Sequence, residues 1–302
     1  MTAQVLALVA PEEAPAVAPD MMLLGLPLVR RTVLAARRAG FGRVVALSAD
    51  PETQRLLSAA LAGCGAEVSR GSETPGGTVA VPWNRVLTPS DLRALSQGAD
   101  PGRLGVPVVK LPDIRRAEDS LLSSVVKPGE GFLSRAFERK LSLPISRRLS
   151  ATRVTPNGVT VVSAAIGLLG CLFFLAQGAL AQTAGALLLL AHSVIDGCDG
   201  ELARLRFEES RFGGALDFWT DNAVHCALFG ALAVGWSRAA GALWPLALGL
   251  AATGGVLFSA KCLQIRHKLR KLILDQPPER GVTDPGVPLH ENVSKGDDAF
   301  GA

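Results

Sequence analysis

The pattern of apolar and polar positions divides the chain near residue 155. Before that point, short apolar runs alternate with charged and proline-containing stretches, as they do in a water-soluble domain. From residue 158 to residue 262, long runs of Leu, Ala, Val and Gly are interrupted once by a charged segment. The sequence therefore predicts water around the first half of the chain and lipid around the second.

The first half shows a rhythm of short strands and amphipathic helices. Strands are predicted at 5–10, 43–48, 66–69 and 78–82, and helices at 28–39, 51–61 and 89–95. Strands that alternate with helices form a parallel sheet most economically, because each helix carries the chain back across the layer. We therefore expect residues 1–125 to form an α/β domain of the Rossmann-like type.

The second half contains four apolar stretches, each near the roughly 20 residues that cross a bilayer. They cover 158–177, 180–197, 213–236 and 240–261. We predict an α-helical transmembrane bundle in residues 156–271, followed by a polar tail at 272–302. Residues 126–155 read as a juxtamembrane segment, whose mixed basic and apolar part suits an amphipathic helix on the membrane surface, bent before Pro144. An ordinary surface helix is the alternative.

The charge of the chain fits a membrane protein better than a nucleic-acid-binding one. The formal net charge is +4, and the basic residues concentrate beside the apolar stretches. On one side these are Arg204, Arg206, Arg211, Lys261, Arg266, Lys268, Arg270 and Lys271. The other side has Arg238, with Trp236 and Trp244 as interfacial residues. By the positive-inside rule, the chain is expected to contact membrane lipids and no nucleic acid, with both termini and the charged loop in the cytoplasm. No secretory leader is recognisable in its first residues.

Four carboxylates stand at the ends of the second and third spans. Asp196 and Asp199 are three residues apart, and Asp217 and Asp221 are four apart, so on helices each pair projects from one face. Charges at membrane depth normally pair or bind ions. Because no Lys accompanies these four, the sequence predicts a site for Mg²⁺ or Mn²⁺, with two ions expected.

These residues lie in a longer pattern, D-x2-D-G-x2-A-R-x8-G-x3-D-x3-D, which residues 196–221 fill at every defined position. The pattern resembles the signature of the CDP-alcohol phosphotransferases. The resemblance implies a metal-dependent transferase that moves a substituted phosphoryl group from a CDP-alcohol to an acceptor alcohol and releases CMP. We expect its active site to face the cytoplasm.

The same resemblance implies roles for individual residues. Asp196, Asp199, Asp217 and Asp221 would bind metal, and Asp221 would also activate the acceptor hydroxyl. The residues implied to bind the nucleotide are Asn157, Thr160, Gly200, Ala203, Arg204 and Gly213, with Arg204 on phosphate. His192 and His225 each lie four residues from a motif aspartate, and packing between helices is favoured over a supporting role at the metal site.

The first half carries a second resemblance. Gly25-Leu-Pro-Leu-Val-Arg-Arg31 and the helix after it resemble the sugar-phosphate nucleotidyltransferases, including inositol-1-phosphate cytidylyltransferases. Those enzymes have a basic, glycine-rich phosphate loop after the first strand, whereas residues 11–18 here are Pro-Glu-Glu-Ala-Pro-Ala-Val-Ala. Asn84 lies near the position of their metal-binding aspartate. We therefore expect a degenerate domain without nucleotidyltransferase activity.

The sequence leaves several interpretations of the substrates open. The leading interpretation is a phospholipid-synthesising enzyme that uses CDP-diacylglycerol, with an alcohol or polyol phosphate as acceptor. A CDP-inositol-dependent enzyme similar to di-myo-inositol phosphate phosphate synthases is the first alternative, because residues 127–160 also resemble theirs. The CDP-alcohol family usually has six spans and four are visible, so a truncated, inactive scaffold or nucleotide sensor is the second. A partner subunit that completes the cavity and a homodimer are also left open.

Overall fold

A computed structural model describes residues 4–13, 15–71, 74, 76–126 and 138–274 of the chain, with side chains described as far as Arg266. Residues up to Gly254 form one compact unit, and a second unit begins at Gly255. The described part of the second unit is helical and ends at Leu274.

The first half of the chain is an α/β domain, as predicted. Its strands are β1 (Val5–Val9), β2 (Met22–Leu23), β3 (Leu26–Pro27), β4 (Arg43–Ser48), β5 (Glu67–Arg70), β6 (Val79–Pro82), β7 (Arg85–Val86) and β8 (Val106–Pro107). Its helices are α1 (Leu28–Ala39), α2 (Pro51–Ala60), α3 (Pro89–Ser96) and α4 (Leu111–Ser124). The main sheet is parallel, with strand order β5-β4-β1-β6.

Local capping explains where the helices of this domain begin and end. The Asp50 side chain accepts a hydrogen bond from the Thr53 amide at 2.8 Å and starts α2. Thr88 and Asp91 form a reciprocal capping box at the start of α3. Gly40 ends α1 with φ of 103°, a left-handed conformation that favours glycine.

The core of the domain lies between the sheet and α1. Leu6 and Leu8 of β1 and Val29 and Val33 of α1 are fully buried in one hydrophobic cluster. Each such side chain contributes about 1.5–3 kcal/mol relative to an exposed one. Leu205 belongs to the same cluster although it lies 174 residues beyond Arg31 in the sequence. The core of the α/β domain therefore reaches the end of a membrane helix.

The second half is helical. Its helices are α5 (Arg139–Ser150), α6 (Pro156–Phe173), α7 (Ala179–Arg206), α8 (Arg211–Ala240) and α9 (Trp244–Leu274). Within the described residues, four helices are long and apolar enough to cross a membrane, α6, α7, α8 and the Trp244–Arg266 part of α9. The predicted four-span bundle is therefore supported. α6 packs against both α7 and α8, and α5 packs against α7.

The helices differ from the predicted spans at their ends. α7 was expected to end near residue 197 and continues to Arg206. α8 was expected to end at residue 236 and continues to Ala240. The apolar pattern marks only the part of a helix that contacts lipid, whereas hydrogen bonding continues the helix into water.

The structure describes part of the predicted juxtamembrane segment. The structure has one helix, α5, and Pro144 lies inside it. The predicted segment covers residues 126–155, of which 127–137 lie outside the described part of the chain. Trp236 and Trp244 pack edge to face across the α8–α9 turn, with ring centroids 4.7 Å apart.

Candidate active site

Helices α7 and α8 bring the four predicted carboxylates together. Asp196, Asp199 and Asp217 each offer an oxygen atom, and these atoms all lie within 4.8 Å of one another. A second group joins His192, Asp196 and Asp221 within the same distance. Asp196 belongs to both groups, so the two pairs from the two helices converge on one place.

Helix α6 supports this cluster through two hydroxyl groups. Thr160 Oγ1 donates a hydrogen bond to Asp199 Oδ2, while the Gly200 amide donates to Asp199 Oδ1. Ser163 Oγ lies 2.7 Å from His192 Nδ1 and 3.4 Å from Asp196 Oδ1. Both hydroxyls are buried. The orientation of the α7 aspartates therefore depends on α6 as well as on their own helix.

The side chains gathered at this site are suitable ligands for a divalent cation. Asp221 Oδ1 is buried and has no hydrogen-bond partner among the residues that the structure describes. Within that same part of the chain, neither Asp196 nor Asp221 forms an ion pair with Lys or Arg. Converging carboxylates without a compensating cation are costly at membrane depth. Carboxylate oxygens are the ligands that hard cations such as Mg²⁺ and Mn²⁺ prefer, so these residues fit the predicted metal.

A cavity of about 190 Å³ adjoins the carboxylates between α6, α7 and α8. All six residues implied to bind nucleotide lie on its wall, namely Asn157, Thr160, Gly200, Ala203, Arg204 and Gly213. Asp199 and Asp217 line it too. The residues expected to bind the nucleotide therefore line one cavity, which also includes two of the predicted metal ligands.

Two glycines on the wall permit close approaches. A Cβ atom at Gly213 would lie 2.9 Å from Asn157 Oδ1, and one at Gly200 would lie 3.1 Å from an Arg204 guanidinium nitrogen. Both distances are shorter than ordinary contacts with a Cβ atom. Glycine at these positions keeps Asn157 and Arg204 where they are and leaves the cavity open.

Some residues on the wall were not predicted from the sequence. Glu208, Glu209 and Ser210 lie on it, in the loop between α7 and α8. Ser210 also caps α8, because its Oγ accepts a hydrogen bond from the Gly213 amide at 2.9 Å. A serine just before a helix is a readable capping signal. The two glutamates carry no such signal, since charged loops are common.

The two histidines differ in their surroundings. His192 of α7 is buried and packs against Ser163 of α6, which agrees with the expected packing between helices. A ring nitrogen of His192 also lies within 4.8 Å of an oxygen atom of Asp196 and of Asp221. His225 is exposed, and its Nδ1 lies 2.7 Å from the backbone oxygen of Asp221. That contact joins two residues of α8 and involves the backbone of Asp221, not its carboxyl group.

A fifth acidic residue, Glu201, fixes α5 to α7. Its carboxyl group is fully buried and accepts hydrogen bonds from Ser142 Oγ at 2.7 Å and Ser146 Oγ at 2.5 Å. Arg139 pairs with the same carboxylate. Glu201 occupies an undefined position of the sequence pattern, and nothing in the pattern assigns it a role. The structure makes it the anchor of the juxtamembrane helix.

Within the described residues, four helices long and apolar enough to cross a membrane, together with an acidic site beside a cavity, indicate an integral membrane protein. Residues 153–272 match the family model described as CDP-alcohol phosphatidyltransferase. Residues 153–272 are therefore a CDP-alcohol phosphatidyltransferase domain, and the recognition made from the sequence pattern is confirmed.

Similar proteins fall into two groups. One, from Archaeoglobus fulgidus, is named "Bifunctional IPC transferase and DIPP synthase" and is 38% identical over 124 residues, which are 41% of this chain and 24% of that protein. A protein of the same name from Thermococcus kodakarensis is 35% identical over 148 residues, 49% of this chain and 33% of that protein. The other group includes the phosphatidylinositol phosphate synthase of Mycobacterium marinum, 32% identical over 119 residues, 39% of this chain and 46% of that protein. The chain thus spans about a quarter to a half of the length of these relatives.

Proposed function

We propose that the chain is a membrane enzyme that transfers a substituted phosphoryl group from a CDP-alcohol to an acceptor alcohol and releases CMP. One observation carries this proposal. The cavity lined by all six motif positions assigned to the nucleotide shares Asp199 and Asp217 with the carboxylate cluster. A diphosphate held beside a cytidine-sized cavity would therefore meet the metal ligands at its reacting end.

In this proposal the residues of the chain divide the work. Arg204 holds a phosphate of the donor, since a planar guanidinium can bind two phosphate oxygens. The acceptor oxygen forms a bond to the phosphorus that carries the donor's alcohol, and the bond from that phosphorus to the oxygen of CMP breaks. Asp221 takes the proton of the acceptor hydroxyl, and its buried Oδ1 has no partner among the described residues. Bound Mg²⁺ or Mn²⁺, with two ions proposed, would neutralise the diphosphate.

The proposed donor is CDP-diacylglycerol. An apolar groove of about 500 Å³ runs between α6 and α8 and is lined by residues such as Leu168, Leu172 and Ala231. It belongs to the same two helices that border the nucleotide cavity. A donor with acyl chains could place them along this groove while its headgroup occupies the carboxylate site, because apolar chains prefer apolar surface.

A second donor, CDP-inositol, is supported by the comparisons. Relatives named as DIPP synthases are 35–38% identical over 123–148 residues, and phosphatidylinositol phosphate synthases are 32–36% identical over 101–119 residues. The name of the latter synthases supports a polyol phosphate as the acceptor for a lipid donor. We also propose that the active site faces the cytoplasm and that the protein forms a homodimer, which its mass in detergent would test.

The function is tested by incubating the purified chain in lipid vesicles with Mn²⁺, labelled CDP-diacylglycerol or CDP-inositol, and a panel of alcohols and polyol phosphates. We expect release of CMP with one donor and appearance of the label in a new phosphodiester. Addition of a chelator should stop both. If the folded protein consumes neither donor with any of the acceptors, the proposal is refuted.

A further inference from the structure

The end of α7 is held by the α/β domain. Arg204, which lines the nucleotide cavity, donates its Nε–H to the backbone oxygen of Val125 at 2.8 Å. Val125 follows the last turn of α4, where unpaired carbonyl groups create a partial negative charge that attracts a guanidinium. The proposed phosphate ligand of the membrane half is therefore oriented by a backbone group of the soluble half.

A buried arginine of α1 also links the α/β domain to the end of α7. Arg31 is 2% exposed and donates hydrogen bonds to the backbone oxygens of Leu205 at 2.7 Å, Leu23 at 2.8 Å and Leu24 at 3.0 Å. Desolvation lowers the pKa of Arg31 to about 10, which leaves the group charged at neutral pH. Burying a charged group is tolerated only when it is well bonded, so this contact ties the last turn of α7 firmly to α1.

A third contact reaches the loop between α7 and α8. Arg38, about two turns after Arg31 on α1, forms an ion pair with Glu209, and its guanidinium lies 5.7 Å from the centre of the Phe207 ring. Phe207 has a φ of 59°, so it ends α7 in a left-handed conformation that is unfavourable for a bulky residue. Glu209 lines the nucleotide cavity. The α/β domain thus contacts the cavity wall at two points, Arg204 and Glu209.

We propose that the α/β domain is a positioning domain for the nucleotide cavity, holding Arg204 through α4 and the 207–210 loop through Arg38 of α1. This inference rests on the proposed function, because it takes the cavity as the site of the cytidine nucleotide. It gives the domain a role that needs no nucleotidyltransferase chemistry. Arg38 acts here as a positioning residue and does not touch the nucleotide.

The Arg38–Glu209 pair permits a test in the full-length protein. Its side chains are 39% and 38% exposed, and exposed ion pairs contribute little to stability, so Arg38→Ala should fold. Arg37→Ala is the matched control, since it removes the same charge from the same helix and Arg37 is exposed. Arg38→Lys keeps the charge and should therefore show a smaller loss than Arg38→Ala.

Two measurements separate positioning from general stability. The first is binding of CMP to the detergent-purified protein in Mg²⁺ by calorimetry, together with KM and kcat for the CDP donor. We expect Arg38→Ala to weaken CMP binding and to raise KM about three- to tenfold, with kcat and the unfolding temperature close to those of Arg37→Ala. The second is amide hydrogen exchange in residues 205–213, which should become faster in Arg38→Ala and stay unchanged in Arg37→Ala.

The outcomes are distinguishable. Wild-type protein that binds no CMP would refute the proposed function, and the exchange measurement would still decide whether Arg38 holds the loop. Wild-type binding with unchanged affinity and exchange in Arg38→Ala would overturn the positioning role alone. Equal effects of Arg37→Ala and Arg38→Ala would also overturn it, because the cause would then be net charge.

Discussion

Removal of Arg139 should destabilise the membrane domain more than any exposed substitution on the same helix. Glu201 is fully buried, and its two oxygens receive three side-chain donors from α5: Arg139, Ser142 and Ser146. Arg139→Met keeps much of the side-chain volume and removes the only cation of this group. The remaining carboxylate then has two hydroxyl donors and no compensating charge.

The size of the effect follows from burial. Removing one partner of a buried ion pair costs about 3–5 kcal/mol, because the other charge stays desolvated. Glu201→Gln keeps the shape and removes the buried charge, and Arg139 is 15% exposed and can regain some water, so its cost should be about 1–3 kcal/mol. In the double variant no buried charge is left uncompensated. Its loss should be smaller than the sum of the two single losses by about 2 kcal/mol.

The assay is denaturant unfolding in detergent, followed by the fluorescence of the tryptophans in α8 and α9. Lys140→Met is the control, because it makes the same substitution at an exposed neighbour on α5. If Arg139→Met costs no more than Lys140→Met, or if the two single losses simply add in the double variant, Glu201 is not the anchor described above.

The remaining predictions concern the site and the topology. Asp217→Asn should abolish CMP release and leave membrane insertion intact, and near-normal turnover would contradict its assignment as a metal ligand. Gly213→Ala should raise KM for the CDP donor, because the added methyl group meets Asn157 at the cavity wall; an unchanged KM would disprove the close approach. The full-length chain should release no pyrophosphate from CTP and polyol phosphates, and its release would reverse the view of a degenerate domain. With the accessible native cysteines replaced, Ala240→Cys should react with an impermeant thiol reagent in intact cells and Ala59→Cys should not, the reverse pattern overturning the orientation.

Local patterns were enough to predict most elements of the fold. The predicted helix 28–39 and strand 43–48 coincide with α1 and β4 as observed. In both cases the signal is local, since α1 has an apolar stripe that ends at Gly40, and β4 is a run of small and β-branched apolar residues. Helix ends in the membrane half were less predictable, because the hydropathy pattern reports the lipid boundary and not the last hydrogen bond.

The site was predictable where its residues lie on one helix at a fixed spacing. Asp196 and Asp199 project from one face of α7 by helical geometry alone, and the sequence pattern adds α8. Contacts between distant segments had no such signal. In the sequence, nothing distinguishes Ser142 and Ser146 from other serines in a helix. They donate hydrogen bonds to Glu201 only because α5 packs on α7. The partner of Arg204, a backbone oxygen 79 residues earlier, has no side-chain signature at all.

The hydrogen bonds between the α/β domain and the membrane half have backbone oxygens as acceptors. This explains how the two halves can stay in contact when side chains of the α/β domain change. Between the two halves, Arg204 donates to the backbone of Val125 and Arg31 donates to the backbone of Leu205. Within the second half, Arg206 donates to four backbone oxygens between residues 149 and 154. Backbone acceptors depend on the path of the chain and not on the identity of the side chains there. Side-chain substitutions in residues 11–18 or at Asn84 would therefore leave these bonds in place. Two arginines that link the halves through backbone acceptors, Arg31 and Arg204, lie in α1 and α7, and we expect substitution at these positions to loosen the contact between the halves.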